Sequence, residues 1–157
     1  MSSKVDYKFW TLCLIQKEDH VLLLDRTHDE FKGFIPPGGK VDFPESFTDA
    51  AIREVKEETG LDVHHVTYKG LYEYVNPTKN ERYIIMNYST DQFSGTLLTD
   101  SLEGKPTWIH IDQLMDIPMQ HSIRRRLPYM LEEGTFEIHV EWDDEKDEEK
   151  HVHIKKT

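Results

Sequence analysis

Residues 38–61 read GGKVDFPESFTDAAIREVKEETGL, with glutamates at positions 54, 57 and 58 just ahead of a glycine at 60. Residues three and four apart share a helix face, so a helix here would draw Glu54, Glu57 and Glu58 to one edge. Both ends of such a helix are marked. Ser46 is a good N-cap, Asp49 falls at the third helical position as in a capping box, and Gly60 suits a left-handed stop. Phe47, Ala50, Ala51, Ile52 and Val55 supply an apolar side. Each like-charge pair costs about 0.2–0.5 kcal/mol on a solvated helix, and Arg53 and Lys56 offset part of that, so a merely acidic surface helix is physically admissible. The setting argues for more. Pro36-Pro37-Gly38-Gly39 excludes helix and offers backbone shapes that other residues resist, so the acidic edge is fixed between a glycine bend and a glycine stop. Oxygen-rich clusters suit a hard divalent cation, and Mg²⁺ commonly keeps several waters while bridging carboxylates to substrate phosphates.

The whole chain sets the frame for that site. Its 157 residues predict one domain spanning 1–157, without a linker or internal repeat. The longest apolar run, around Leu22–Leu24, is far short of a membrane span, and MSSKVDYKFW lacks an apolar signal core; a cytoplasmic protein with no membrane partner is expected. The one cysteine, Cys13, lies in the apolar stretch Phe9–Ile15 and reads as a small buried hydrophobe. A formal charge of −11 opposes nonspecific attraction to nucleic acid or anionic membrane, and no basic stripe suggests a stable nucleic-acid partner. A polyanionic substrate then needs a metal or a focused basic pocket. Asp143–Lys150, DDEKDEEK, reads as a solvated acidic hairpin tip.

Strands are expected at Tyr7–Ile15 and Val21–Asp25, joined at Lys17–His20, and at Val63–Val75 and Arg82–Ser89, joined through Asn76–Asn80. Residues 26–37 are read as loop and Thr107–Ile111 as a short strand. Ile123, Leu127, Met130 and Leu131 recur at helical spacing, predicting a helix over Ser122–Glu132 that Pro128 bends or restarts and Gly134 stops. Alternation at Phe136, Ile138, Val140 and Trp142, and again at Val152 and Ile154, predicts a terminal hairpin over about 135–155. Arg124-Arg125-Arg126 point three ways on a helix and are read as solvated or acid-paired. Together these elements predict an α/β fold, with helices covering a mixed or antiparallel sheet.

Gly39, five residues, Glu45, seven residues, Arg53-Glu54-Val55, one residue, Glu57-Glu58, one residue, Gly60-Leu61: this spacing resembles the complete Nudix box at every specified position. The resemblance implies an α/β/α sandwich with a central mixed sheet, and Mg²⁺- or Mn²⁺-dependent hydrolysis of a nucleoside diphosphate linked to another group. By position, it implies Glu57 and Glu58 as metal ligands, Glu54 as ligand or general base, Arg53 as the partner that orients Glu54, and Glu45 as a structural brace through Arg53. Gly38 would lend its carbonyl to the metal, and Lys40 would face a phosphate. Gly39 and Gly60 would be structural. Glu103, in Ser101-Leu102-Glu103-Gly104, resembles the later loop acid that serves as ligand or base in MutT-type members.

Trp108, Ile111-Asp112-Gln113-Leu114 and Ile117-Pro118-Met119 also resemble MutT-type nucleoside triphosphate diphosphatases, which release pyrophosphate and a monophosphate. That implies a small-molecule nucleotide substrate, with 8-oxo-dGTP the leading choice, and assigns no oligomeric state. The chain departs from the human-type oxidised-purine pattern in one place, with Met119-Gln120-His121 where a paired aspartate follows a tryptophan. Gln120 is the candidate to bond a base edge, and Phe34, Phe31 or Met119 to stack on it. ADP-ribose, nucleotide sugars and dinucleoside polyphosphates are the rival substrates. A noncatalytic nucleotide-sensing module is the rival from another class.

Overall fold

Successive side chains of a strand face opposite sides of its sheet, and β1 (Asp6–Lys17) divides the protein on that basis. The computed structural model describes residues 4–26 and 33–157. Leu12 and Leu14 of β1 join Val21, Leu23, Tyr72, Ile123, Leu127 and Ile138 in one core; Cys13 and Ile15 join Leu22, Ala51, Val55 and Val63 in the other. A helix closes each: α1 (Phe47–Thr59) carries Ala51 and Val55, and α2 (His121–Leu131) carries Ile123 and Leu127. Each fully buried Val or Leu contributes about 1.5–3 kcal/mol, so both faces of the sheet are committed. This is the expected α/β/α sandwich.

Between the helices, β2 (His20–Arg26), β3 (Gly33–Ile35), β4 (Gly38–Lys40), β5 (Leu61–Val63), β6 (Thr67–Asn76), β7 (Glu81–Thr90), β8 (Phe93–Gly95), β9 (Lys105–His110), β10 (Phe136–Asp143) and β11 (Glu148–Lys156) follow in the chain. The main sheet runs β11-β10-β6-β7-β1-β2-β3, with β4 on β1 and β9 on β2, while β5 and β8 pair separately. The β1–β7 and β6–β10 pairs are parallel and the other pairs antiparallel. Beyond its hairpin with β2 at Ile15–Lys17, β1 instead pairs Trp10–Leu12 with β4. That splay opens the sheet beside Gly38 and Gly39.

Local expectations hold where caps and alternation are strong. Ser46 Oγ accepts from the Asp49 N–H at 3.0 Å, and Gly60 ends α1 at φ 83°, donating to the Lys56 carbonyl at 3.0 Å. Several boundaries differ. The 26–37 loop holds β3, with β4 directly after it; each is only three residues and owes its pairing to β1 and β2 rather than to periodicity. The expected Val63–Val75 strand is two, β5 and β6, because residues 64–66 leave the sheet. Pro128 lies inside an unbroken α2, whose end at Leu131 precedes Gly134. The acidic run is only partly a tip: Glu148, Glu149 and Lys150 belong to β11, and Glu149 takes both Arg125 Nη atoms at 2.7 Å. Val152 and Ile154 alternate as expected but remain exposed on this edge strand. Gly38 and Gly39 are not among the positive-φ glycines, so room rather than backbone shape is what they provide. Phe31 lies outside the described residues, and among those residues no helix is long and apolar enough to cross a membrane.

Cys13 is wholly buried, and loss of solvent around its thiolate pushes the thiol up to about 12. Ellman's reagent is expected to leave the native protein unmodified at pH 8 and to titrate one thiol only after unfolding.

Candidate active site

The site forms where β4 crosses the middle of α1. Hydrogen bonding along β1 brings Gly38 opposite Leu12 and Gly39 opposite Thr11, and the Cys13 N–H donates to the Pro37 carbonyl at 2.9 Å. There is no space for side chains in this crossing. A Cβ on Gly38 would stand 2.0 Å from the Thr11 carbonyl oxygen, and one on Gly39 would stand 2.5 Å from Glu54 Oε1. The Gly38 N–H donates to Glu58 Oε2 at 2.9 Å.

Arg53 organises the outer side. Its Nη2 and Nε donate to the two Glu45 oxygens at 2.6 and 3.1 Å, its Nη2 also to the Lys40 carbonyl at 3.0 Å, and its Nη1 to Glu54 Oε1 at 3.0 Å. Glu45 in turn accepts from the Asp42 N–H at 2.8 Å. One guanidinium thereby ties the loop before α1 to a carboxylate facing inward. Its hydrogen bonds to Glu45 hold Arg53 well above the usual guanidinium range, and the same bonds, with the Asp42 N–H, pull the Glu45 carboxyl down.

Glu54 and Glu58, one helical turn apart, lie within hydrogen-bonding reach of each other. Burial is the main cause that raises both carboxyls: Glu58, only 6% exposed, is pushed up to about 9, with Glu54 and Glu103 adding repulsion. Glu57 departs from the expected convergence. Its side chain is 58% exposed and accepts from Arg53 Nη1 at 3.3 Å, because position 57 falls toward the outer side of the helix edge. Among the described residues, no three His, Cys, Asp or Glu side chains stand as a ready metal cage. The donor chemistry nonetheless fits a hard cation: a buried and a partly buried carboxyl, Glu58 and Glu54, stand one helical turn apart, and the missing Gly39 side chain leaves the room beside Glu54.

Beside these acids opens a cavity of about 680 Å³. Glu54, Glu58, Glu103, Gly38, Gly39 and Lys40 line it together with Trp10, Tyr83, Ile85, Gln120, Ser122 and Arg126. Of the sequence candidates, Phe34 and Met119 are not brought to this lining; both pack against the core under α2. Arg126 is the residue that sequence reading missed. It is neither solvated nor acid-paired, being 3% exposed with its guanidinium 4.1 Å from the Tyr72 ring centroid. The signal was present, since positions 123, 126, 127 and 130 share one helical stripe, which places Arg126 among the apolar residues. Of its neighbours, Arg125 pairs with an acid as read, Glu149, whereas Arg124 is half-buried and donates to the Leu114 and Ile117 carbonyls at 3.0 and 2.5 Å.

The NUDIX domain family matches residues 8–130. The chain belongs to the Nudix hydrolase family. It is 28% identical over 141 residues to the Nudix hydrolase YvcI of Bacillus subtilis (strain 168), covering 85% of this chain and 88% of that one. It is also 28% identical over 142 residues to the oxidized purine nucleoside triphosphate hydrolase of Mus musculus, covering 88% of each. The mutator MutT protein of Bacillus halodurans shares the fold, with a TM-score of 0.81 at 22% identity over 94% of this chain and 97% of that one. This Nudix hydrolase therefore carries the family box on a glycine crossing whose two glycines make room for different neighbours.

Alanine at the two positions separates those demands. Gly38→Ala, which drives a Cβ into backbone, is expected to lower stability by about 1–3 kcal/mol in thermal or urea unfolding. Gly39→Ala meets only the end of a side chain, so its Tm should stay near wild type while turnover falls about tenfold or more as Glu54 is displaced.

Proposed function

We propose that this Nudix hydrolase cleaves a nucleoside triphosphate to a nucleoside monophosphate and pyrophosphate, with oxidised purine nucleotides such as 8-oxo-dGTP as the leading substrates. The observation that carries the reading is the cavity itself, whose lining joins the carboxylates of Glu54 and Glu58 to rings and hydrogen-bonding side chains. The name of the mouse relative supports the substrate class. The reaction is attack of water at phosphorus: a new P–O bond forms, an anhydride P–O bond breaks, and the leaving phosphate carries away its electron pair.

Mg²⁺, or Mn²⁺ in its place, held by Glu54, Glu57 and Glu58 with Glu103 and the Gly38 carbonyl, would neutralise phosphate oxygens and make the attacking water more acidic. The chain's own groups do the rest. Arg53 fixes Glu54 through a charge-assisted hydrogen bond while Glu45 holds Arg53 from behind, so Glu54 reaches the water in one orientation. Glu54 is the candidate to take the water's proton, with Glu103 in the same lining as the alternative acceptor. Lys40, also in the lining with its Nζ 5.9 Å from the Trp10 ring centroid, supplies positive charge toward the phosphate tail. Glu57 would turn inward from its exposed position by giving up its one hydrogen bond from Arg53 Nη1.

Glu57→Gln is expected to remove most turnover, a loss of about a hundredfold or more, while the unfolding temperature stays within about a degree because an exposed side chain is exchanged. The substrate assignment is read from products. Nucleoside triphosphates with Mg²⁺ should yield pyrophosphate, and ADP-ribose should yield little AMP. AMP and ribose phosphate as the faster products would transfer the assignment to ADP-ribose, and tight nucleotide binding without phosphate release over a broad panel would favour a sensing module.

A further inference from the structure

Arg126 is a cation buried in a strongly acidic protein, yet among the described residues it has no carboxylate partner. Its compensation is partial. The guanidinium face lies on the Tyr72 ring at 4.1 Å, and Nη1 donates to Asn87 Oδ1 at 3.2 Å, but the buried Nε has no acceptor. A buried, incompletely bonded guanidinium is costly, and the cost falls when an acceptor arrives. Trp10 is in the same condition, its buried indole N–H also lacking a partner. Both residues line the cavity that opens at Glu54 and Glu58. Thr11, whose buried hydroxyl also lacks a partner, lines it too. Arg126 comes from α2 and the carboxylates from α1, helices that cover opposite faces of the sheet, so donor and acids are presented to the cavity from different elements.

A guanidinium only donates, so the group it receives must present an oxygen or nitrogen acceptor. If phosphates occupy the carboxylate end, the group reaching Arg126 is the base. Adenine's ring nitrogens can each accept one hydrogen bond, but its C6 amino group beside them would set donor against donor for the second arm of a guanidinium fork. A 6-oxopurine offers O6 there, flanked by N1–H, which needs an acceptor in turn. Gln120 can provide that acceptor: it caps α2 without using its side chain on the helix, and it lines the cavity with Ser122. Trp10 and Tyr83 offer ring surfaces to a planar bicycle.

We infer that Arg126 is the specificity-determining residue of this hydrolase and that it selects 6-oxopurine nucleotides by donating to O6, with Gln120 accepting from the Watson–Crick edge. This rests on the reading of the cavity as a nucleotide site. Guanine, 8-oxoguanine and hypoxanthine all retain O6, so the selection is for the carbonyl and not for the oxidation.

The test removes the carbonyl from either side. With Mg²⁺, wild type is expected to hydrolyse dGTP and dITP with similar kcat/KM, and dATP and the 2-aminopurine deoxynucleoside triphosphate, which lacks O6, about tenfold less well or worse. Arg126→Lys, which keeps the charge and loses the fork, and Arg126→Met should each bring the dGTP to 2-aminopurine ratio to within about threefold, chiefly by losing dGTP. Both variants are checked by circular dichroism; should neither fold, Gln120→Leu at the half-buried cap of α2 replaces them, and it too should narrow the ratio. Equal use of the 2-aminopurine nucleotide by wild type, or an unchanged ratio in a folded variant, overturns the assignment. Calorimetric binding of the same two nucleotides separates the failures. Preference for dGTP without turnover ends only the hydrolysis reading, turnover without preference ends only the role of Arg126, and absence of both ends each.

Discussion

Two carboxylates buried side by side lose their water and repel each other, and much of the structure around α1 is arranged to hold Glu54 and Glu58 in that condition. Their positions depend on contacts that single atoms would break. Gly38 must lack a side chain so that β4 can lie on β1, and its N–H is then free to bond Glu58. Gly39 must lack one so that Glu54 has somewhere to be. Arg53 supplies the positive charge from the solvent side, and Glu45 keeps it there. The ends of α1 are capped at Ser46 and Gly60, so the helix cannot slide or fray to relieve the repulsion cheaply.

The cavity joins this arrangement to α2. Glu54 and Glu58 of α1 share its lining with Gln120, Ser122 and Arg126 from the cap and first turns of α2. The splay of β1 away from β2 creates the opening, and Tyr72 on β6 supplies the ring that lies against the buried guanidinium. Elements far apart in the sequence are therefore needed to complete one site. Arg124 and Arg125 secure that geometry from outside, one gripping the Leu114–Ile117 loop and the other the β11 strand.

Much of this was legible in the sequence because it is local. Caps, glycine stops and the spacing from Gly39 to Leu61 are settled by neighbours within a turn or two, and α1 falls where they put it. Aromatic and branched residues between polar turns likewise located β1, β2 and β7, and alternation the terminal hairpin. What escaped depends on distant partners. Three-residue strands such as β3, β4 and β8 have too short a period to read and are defined by what they pair with. The outward turn of Glu57 follows from competition for Arg53, and Phe34 and Met119 pack on core instead of facing the cavity. Arg126 was hidden for a different reason. Charge argued for solvent while position argued for the core, and position won because Tyr72 and Asn87 were waiting there.

The central claim, that Glu54 and Glu58 form a strained acidic pair completed by a divalent cation, is tested most directly by thermal unfolding of wild type and Glu58→Gln with and without millimolar Mg²⁺. Without the metal, Glu58→Gln should be the more stable protein at pH 7, because folding no longer has to protonate a carboxyl that is ionised in the unfolded chain and held at about 9 by burial in the folded one. Added Mg²⁺ should raise the Tm of wild type by binding only the folded state and should leave Glu58→Gln nearly unmoved. Equal Mg²⁺ shifts in the two proteins, or a variant less stable than wild type in the absence of metal, would contradict the account.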